Sequence, residues 1–177
     1  MKTLFASLLL MALAVPVVAQ EWIDRSGQPV PQSSSIQSRN GFGGALLVTP
    51  DLDWAEKWNT PREVTPHFSR AETVRVGEPV TVLVFFGNPA ADRGGRVHVS
   101  ATIALLRPDG SAEIAEKPLN CFDHAGVDVL ESIRLCESHL QLTPTAEDPK
   151  GTWAVRVRLT DENRQSTVVL EEQFVVQ

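Results

Sequence analysis

The chain has 177 residues, with 16 Lys and Arg against 22 Asp and Glu and a formal net charge of -6. That length suits one domain with appendages, and a composition of 42% hydrophobic and 21% charged residues excludes collagen-like, coiled-coil and wholly disordered chains. A net-acidic chain without a long Lys/Arg run also lacks the positive footprint that phosphate contacts demand, so nucleic acid is disfavoured as a partner.

Residues 1–19 carry Lys2 and then an apolar stretch from Leu4 to Val18 broken only by Ser7. Val17 and Ala19 stand at the -3 and -1 positions of a cleavage site, the pattern of a secretory signal peptide. A membrane anchor is the competing reading, but the run is shorter than the roughly 20 residues a span requires. No cysteine lies near the cleavage site, so a lipoprotein is not expected. The expected location is therefore periplasmic or secreted, with no membrane span. In such a compartment the two cysteines, Cys121 and Cys136, are most simply a disulfide, stabilising by about 3 kcal/mol in the chain-entropy account; two buried free thiols are the alternative.

Residues 20–40 are rich in Ser, Gln and Pro and read as a flexible arm. Residues 41–71 form an expected N-terminal segment. Within it Gly41, Gly43 and Gly44 precede a short apolar run, and Thr49, Pro50, Asp51 and Asp53 suit the start of a short helix. One to two helical turns put Trp54 and Trp58 on one face, and Pro61 and Pro66 make an extended connector.

From residue 72 the pattern alternates to the C-terminus. Val80 to Phe86 is apolar on both faces and reads as a central strand. Val97, Val99, Ala101, Ile103 and Leu105 share one face of a half-buried strand, and Pro108 with Asp109–Gly110 makes a tight turn into the next. Residues 119–142 fit helix or two short strands, with strands favoured by their flanks. Trp153, Val155, Val157 and Leu159 point inward against Arg156 and Arg158, and the DENRQ turn leads to the last strand. Glu171 and Glu172 sit there as candidate facing partners for those arginines. About seven or eight strands and no long helix predict an all-β, antiparallel sandwich with a short N-terminal helical turn.

The stretches VGEPVTVLVFFGNP, LLRPDGS and DPKGTWAVRVRLTDENRQSTVVLEEQFVV resemble immunoglobulin-like domains of exported bacterial proteins. The resemblance spans residues 72–177 and implies the fold alone. The chain departs from antibody-type domains in having no tyrosine, and its cysteines are too close in sequence for the usual cross-sheet bridge.

GxSxG, HExxH, phosphate-binding, dinucleotide and EF-hand patterns are absent, so no catalytic residue, cofactor or metal is assigned and a non-enzymatic role is expected. The cluster Asp123, His124 and Asp128, with His67 and Asp53, is the only candidate for a hydrolase or metal site; a solvated polar loop is its plain alternative. The sharper feature is aromatic: Phe42, Trp54, Trp58 and Phe68 form a candidate binding surface for a protein partner or, stacked against a sugar, for a glycan or cell wall. The same residues also suit a staple of the N-terminal segment onto the sheet. Two functions follow as the leading expectations, ahead of an unrecognised hydrolase or metal-dependent enzyme. One is an exported adaptor or inhibitor-like protein that binds another macromolecule in the cell envelope; the other is a carbohydrate-binding module built on Trp54 and Trp58.

Overall fold

The computed structural model describes residues 28–61, 64–114, 117–125 and 133–177. The expected signal peptide, the first part of the expected arm and Asp128 lie outside them. The described residues form an all-β sandwich of two sheets, antiparallel but for one short pairing. The first sheet contains β1 (Ile36–Arg39), β2 (Phe42–Thr49), β4 (Val80–Gly87), β8 (Arg134–Leu135) and β9 (Leu140–Leu142). It runs β1-β2-β4, and β8 and β9 both pair with the far side of β4. The second contains β3 (Thr73–Val74), β5 (Arg96–Leu106), β6 (Ala112–Ile114), β7 (Leu119–Ala125), β10 (Gly151–Asp161) and β11 (Ser166–Val176). Its order is β3-β11-β10-β5, with β6 and β7 both on the far side of β5, and β3 is parallel to β11. The one helix among the described residues, α1 (Trp54–Trp58), follows β2.

Among the described residues eleven strands stand where seven or eight were expected, because β1, β3, β6, β8 and β9 have only two to four residues each. Alternation cannot be read from so few positions. The long strands follow the pattern. Val97, Val99, Ala101, Ile103 and Leu105 of β5 meet Trp153, Val155, Val157 and Leu159 of β10 and Leu170, Phe174 and Val176 of β11 in one buried core. The expected hairpins form between β5 and β6 and between β10 and β11. Asp161, fully buried at the second turn, accepts the backbone N–H of Asn163, Arg164 and Ala90, so a buried carboxylate is satisfied by the turn it shapes.

Two boundaries differ from the sequence expectation. Residues 36–39 are a strand within the stretch read as an arm, and β2 within the N-terminal segment is an internal strand of the sandwich. The cause is local: Asn40 and Gly41 have φ of 50° and 80° between Arg39 and Phe42, which pair directly. This is a two-residue Asn-Gly hairpin. Gly44 then faces Val168, Leu159 and Leu170, whose methyl carbons would lie 2.9 to 3.1 Å from an added Cβ. The bare glycine lets β2 approach β10 and β11. The helix also starts later than Thr49 and Pro50 suggested: Thr49 ends β2 and is fully buried, its hydroxyl accepts the Asp51 N–H, and Asp53 occupies the N-cap.

The central strand β4 is buried along its whole length. Val80, Val82, Val84 and Phe86 face the core. Phe85 on the opposite face is covered by the N-terminal segment.

Candidate functional site

The four aromatic residues singled out in the sequence separate into two places. Phe42 is fully buried in the inter-sheet core and is withdrawn from any binding surface. A ring without exposed area has none to offer a partner. Trp54, Trp58 and Phe68 are half-buried on the outside of the first sheet. The Trp58 and Phe68 rings pack on Phe85 of β4 with centroids at 5.4 and 6.0 Å, and Trp54 meets His139 edge-on at 4.9 Å. The two indoles therefore engage different partners, Phe85 of β4 and His139 of the connection before β9, the stapling geometry that a short amphipathic helix supplies.

An ion cluster holds this staple in place. Lys57 bridges Asp51 at 2.8 Å and Asp53 at 3.1 Å, and Asp51 also accepts the Ser69 N–H at 2.8 Å. Burial by itself would raise the Asp51 carboxyl, but the Lys57 ammonium and the Ser69 amide together hold it below its ordinary 3.8. A carboxyl lowered in the folded state contributes stability that is present above its unfolded value and lost as pH falls through the folded one. Acidification from about pH 5 to about pH 2 is thus expected to red-shift the emission of the helix tryptophans. Asp51→Asn should show part of that shift already at neutral pH, and Trp54→Phe/Trp58→Phe should lack it. An acid titration of emission in these three proteins makes the check.

The residues proposed for a hydrolase or metal site are dispersed. Asp123 pairs with Arg96 at 2.5 Å, and that guanidinium holds its carboxyl below the ordinary value. His124 pairs with Glu137 at 2.6 Å, Asp53 with Lys57, and His67 is exposed. Among the described residues no three His, Cys, Asp or Glu side chains come together as a metal site. Of the facing charges on the last two strands, Arg156 and Glu171 pair at 2.7 Å. Glu172 does not: it is turned inward and buried, with Arg70 as its partner.

A concave site near the disulfide was not anticipated. Cys121 of β7 and Cys136 beside β8 are disulfide-bonded. Cys136 donates its N–H to Val84 of the first sheet, so this bond does join the two sheets, in spite of the short sequence separation. Successive edge strands that change sheet make this possible. Two hydrogen bonds reinforce the link, from Glu137 N–H to the Cys121 carbonyl at 2.9 Å and from the Ser138 hydroxyl to the Asn120 carbonyl at 3.1 Å. Beside this anchor the sheet edges part around a cleft of about 520 Å³. Ile103 and Leu105 form its floor, Leu119, Leu140 and Leu142 its walls, and Glu113, Glu137, Ser138 and His139 its polar lining. His139 is also the partner of Trp54, so the aromatic staple adjoins the cleft. That volume and this mixture of aliphatic lining with few polar groups are those of ligand sites in general. No sequence motif announces it, since its residues come from four strands and a connection.

No protein-family model matches the sequence, and no match is found among the curated proteins. Solved structures resemble the fold remotely. A family 123 glycoside hydrolase from Clostridium perfringens is similar over 76% of this chain at 9% identity, with a TM-score of 0.43, and the matched part is 27% of the hydrolase. A Niemann-Pick type C2 protein from the Japanese carpenter ant is similar over 59% of this chain and 79% of its own, at 11% identity and a TM-score of 0.36. The CARDB domain of a Pyrococcus furiosus protein, solved in complex with di-metal ions, is similar over 76% of this chain and 89% of its own, at 13% identity and a TM-score of 0.35. Likenesses this distant carry no argument about activity.

Proposed function

We propose that the chain is an exported, non-enzymatic β-sandwich that binds another macromolecule of the cell envelope, and that the cleft between the sheet edges is where it does so. The observation that carries this reading is the cleft itself: an aliphatic recess of about 520 Å³ at an open edge, anchored by a disulfide that lowers the cost of ordering its wall. The disulfide supports an oxidising compartment, in keeping with the signal-peptide pattern of residues 1–19, and no helix among the described residues is long and apolar enough to cross a membrane. A glycan platform on Trp54 and Trp58 is less well supported, since both rings are half-buried against the sheet.

Site-specific photo-crosslinking in the native envelope fraction tests the reading. A benzophenone side chain at the exposed His139 should capture one discrete macromolecule, while the same group at Arg158, on the outer face of β10, captures none. The half-buried Leu140, replaced by Trp to fill the cleft, should abolish the His139 adduct. Equal adducts from both positions, or an adduct indifferent to Leu140→Trp, would overturn the proposal.

A further inference from the structure

Resting on that reading, we infer that the occupant of the cleft is an extended peptide segment of the partner, added as a strand to the edge of β9, with aliphatic and basic residues both on the one face that it turns into the recess. Three observations meet here. First, β9 is an edge: among the described residues it pairs with β4 alone, through Val80↔Leu142, Thr81↔Gln141 and Val82↔Leu140. A strand laid on its outer side continues the first sheet by main-chain hydrogen bonds, the mode by which sheets recognise peptides. Second, the alternation is already set. Leu140 and Leu142 line the cleft while Gln141 is exposed, so an added strand turns every second side chain into the same recess. Ile103 and Leu105 close the bottom of the recess on the opposite sheet, open to solvent at only 5% and 6%, so the apolar contact falls mainly on the half-buried Leu119, Leu140 and Leu142.

Third, the rim is acidic. Glu113 of β6 and Glu137 of the connection between β8 and β9 both line the cleft. The Glu113 side chain is 70% exposed and accepts from Arg107 at 2.9 Å, and the Glu137 side chain is 51% exposed and bonded to His124. A carboxylate has about four acceptor positions, so one neighbour leaves each able to receive an incoming ammonium or guanidinium. Arg107 is itself engaged beyond Glu113, lying over the Trp153 ring at 5.2 Å and within 3.9 Å of Asp148. The net charge of -6 adds a long-range bias in the same direction. Leucine-like side chains satisfy the walls, and lysine or arginine satisfies the rim.

The test uses three fluorescein-labelled heptapeptides with serine at the odd positions and Leu-Lys-Leu, Leu-Glu-Leu or Ser-Lys-Ser at the even ones, called Lys-Leu, Glu-Leu and Lys-Ser, with the full mature chain, disulfide intact. The neutral apolar dye N-phenyl-1-naphthylamine reports the cleft independently. Anisotropy should show the Lys-Leu peptide binding at least tenfold more tightly than either control and displacing the dye. Glu113→Lys/Glu137→Lys, two exposed changes that spare the core, should invert the preference in favour of Glu-Leu, and Leu140→Trp should weaken Lys-Leu binding at least tenfold. The Gln141 amide should gain hydrogen-exchange protection in the complex. Equal binding of Lys-Leu and Glu-Leu, or a preference that survives the charge reversal, would overturn the inference. If the dye enters and Leu140→Trp excludes it while no peptide displaces it, the peptide occupant is refuted and the cleft remains the site. If the dye never enters, the cleft reading falls as well.

Discussion

Replacement of Cys121 and Cys136 by alanine should lower stability by about 3 kcal/mol, read as a fall of roughly 6 to 12 °C in Tm. Two effects contribute. The unfolded chain regains the freedom of the segment closed by the bond, which spans a sequence separation of 15, and the native state loses the covalent tie between β7 and the strip after β8 at one open edge of the sandwich. Both sulfurs belong to the core, with Cys121 and Cys136 exposed by 0% and 3%. The native bond therefore resists dilute reductant until the protein opens, and thiol titration should find no accessible sulfhydryl before the thermal transition. Because Glu137, Ser138 and His139 follow Cys136 directly and line the cleft, the double replacement should also weaken occupancy of the cleft more than a core change of equal stability cost. Calorimetry of the paired proteins decides it; a Tm within 2 °C of the parent would mean that the two backbone and hydroxyl hydrogen bonds alone hold this edge.

The second large effect is expected at a buried charge. Glu172 occupies an inward position of β11 between Leu170 and Phe174, and its carboxylate, 3% exposed, is paired with Arg70 from the connector before β3. Arg70→Ala leaves that carboxylate facing the core without a counter-charge. Breaking a fully buried pair in this way costs about 3 to 5 kcal/mol, and the half-exposed Arg70, at 52%, admits enough water to reduce the figure to about 2 to 3 kcal/mol. The double change Arg70→Ala/Glu172→Leu removes both the charge and its need for a partner and should recover most of the loss. Urea denaturation of the single and double variants measures this. A single variant within 0.5 kcal/mol of the parent would show that Glu172 finds water instead of Arg70.

The long strands were legible because a period of two is a local signal. Val97 to Leu105 and Trp153 to Leu159 each alternate over enough residues to assign both strand and inward face. The Asp109–Gly110 turn was legible for the same reason. Asn40–Gly41, an equally strong hairpin signal, went unread because its preceding strand is only Ile36–Arg39, set in Ser- and Gln-rich chain that resembles an arm in composition. The doubly apolar stretch Val80 to Phe86 pointed to a central strand without naming what covers its outer face. The structure supplies Trp58 and Phe68, two of the residues that the sequence had offered as an exposed surface. At Phe42 the same confusion was complete, since an aromatic side chain looks alike in a sequence whether it meets a ligand or the core.

By itself, then, the sequence determined an all-β sandwich, its main inward faces, two of its hairpins and the pairing of its only two cysteines after the expected signal peptide. These depend on neighbouring residues, on composition and on arithmetic. Only the tertiary structure decided that the disulfide joins the sheets, that Glu172 turns inward while Glu171 turns out, and that a cleft opens beside β9. Each of those depends on which distant strands become neighbours and how far apart their sheets stand. Arg70 and Glu172 are 102 positions apart, and the cleft draws on β5, β6, β7 and β9 at once; such geometry leaves no local pattern to read.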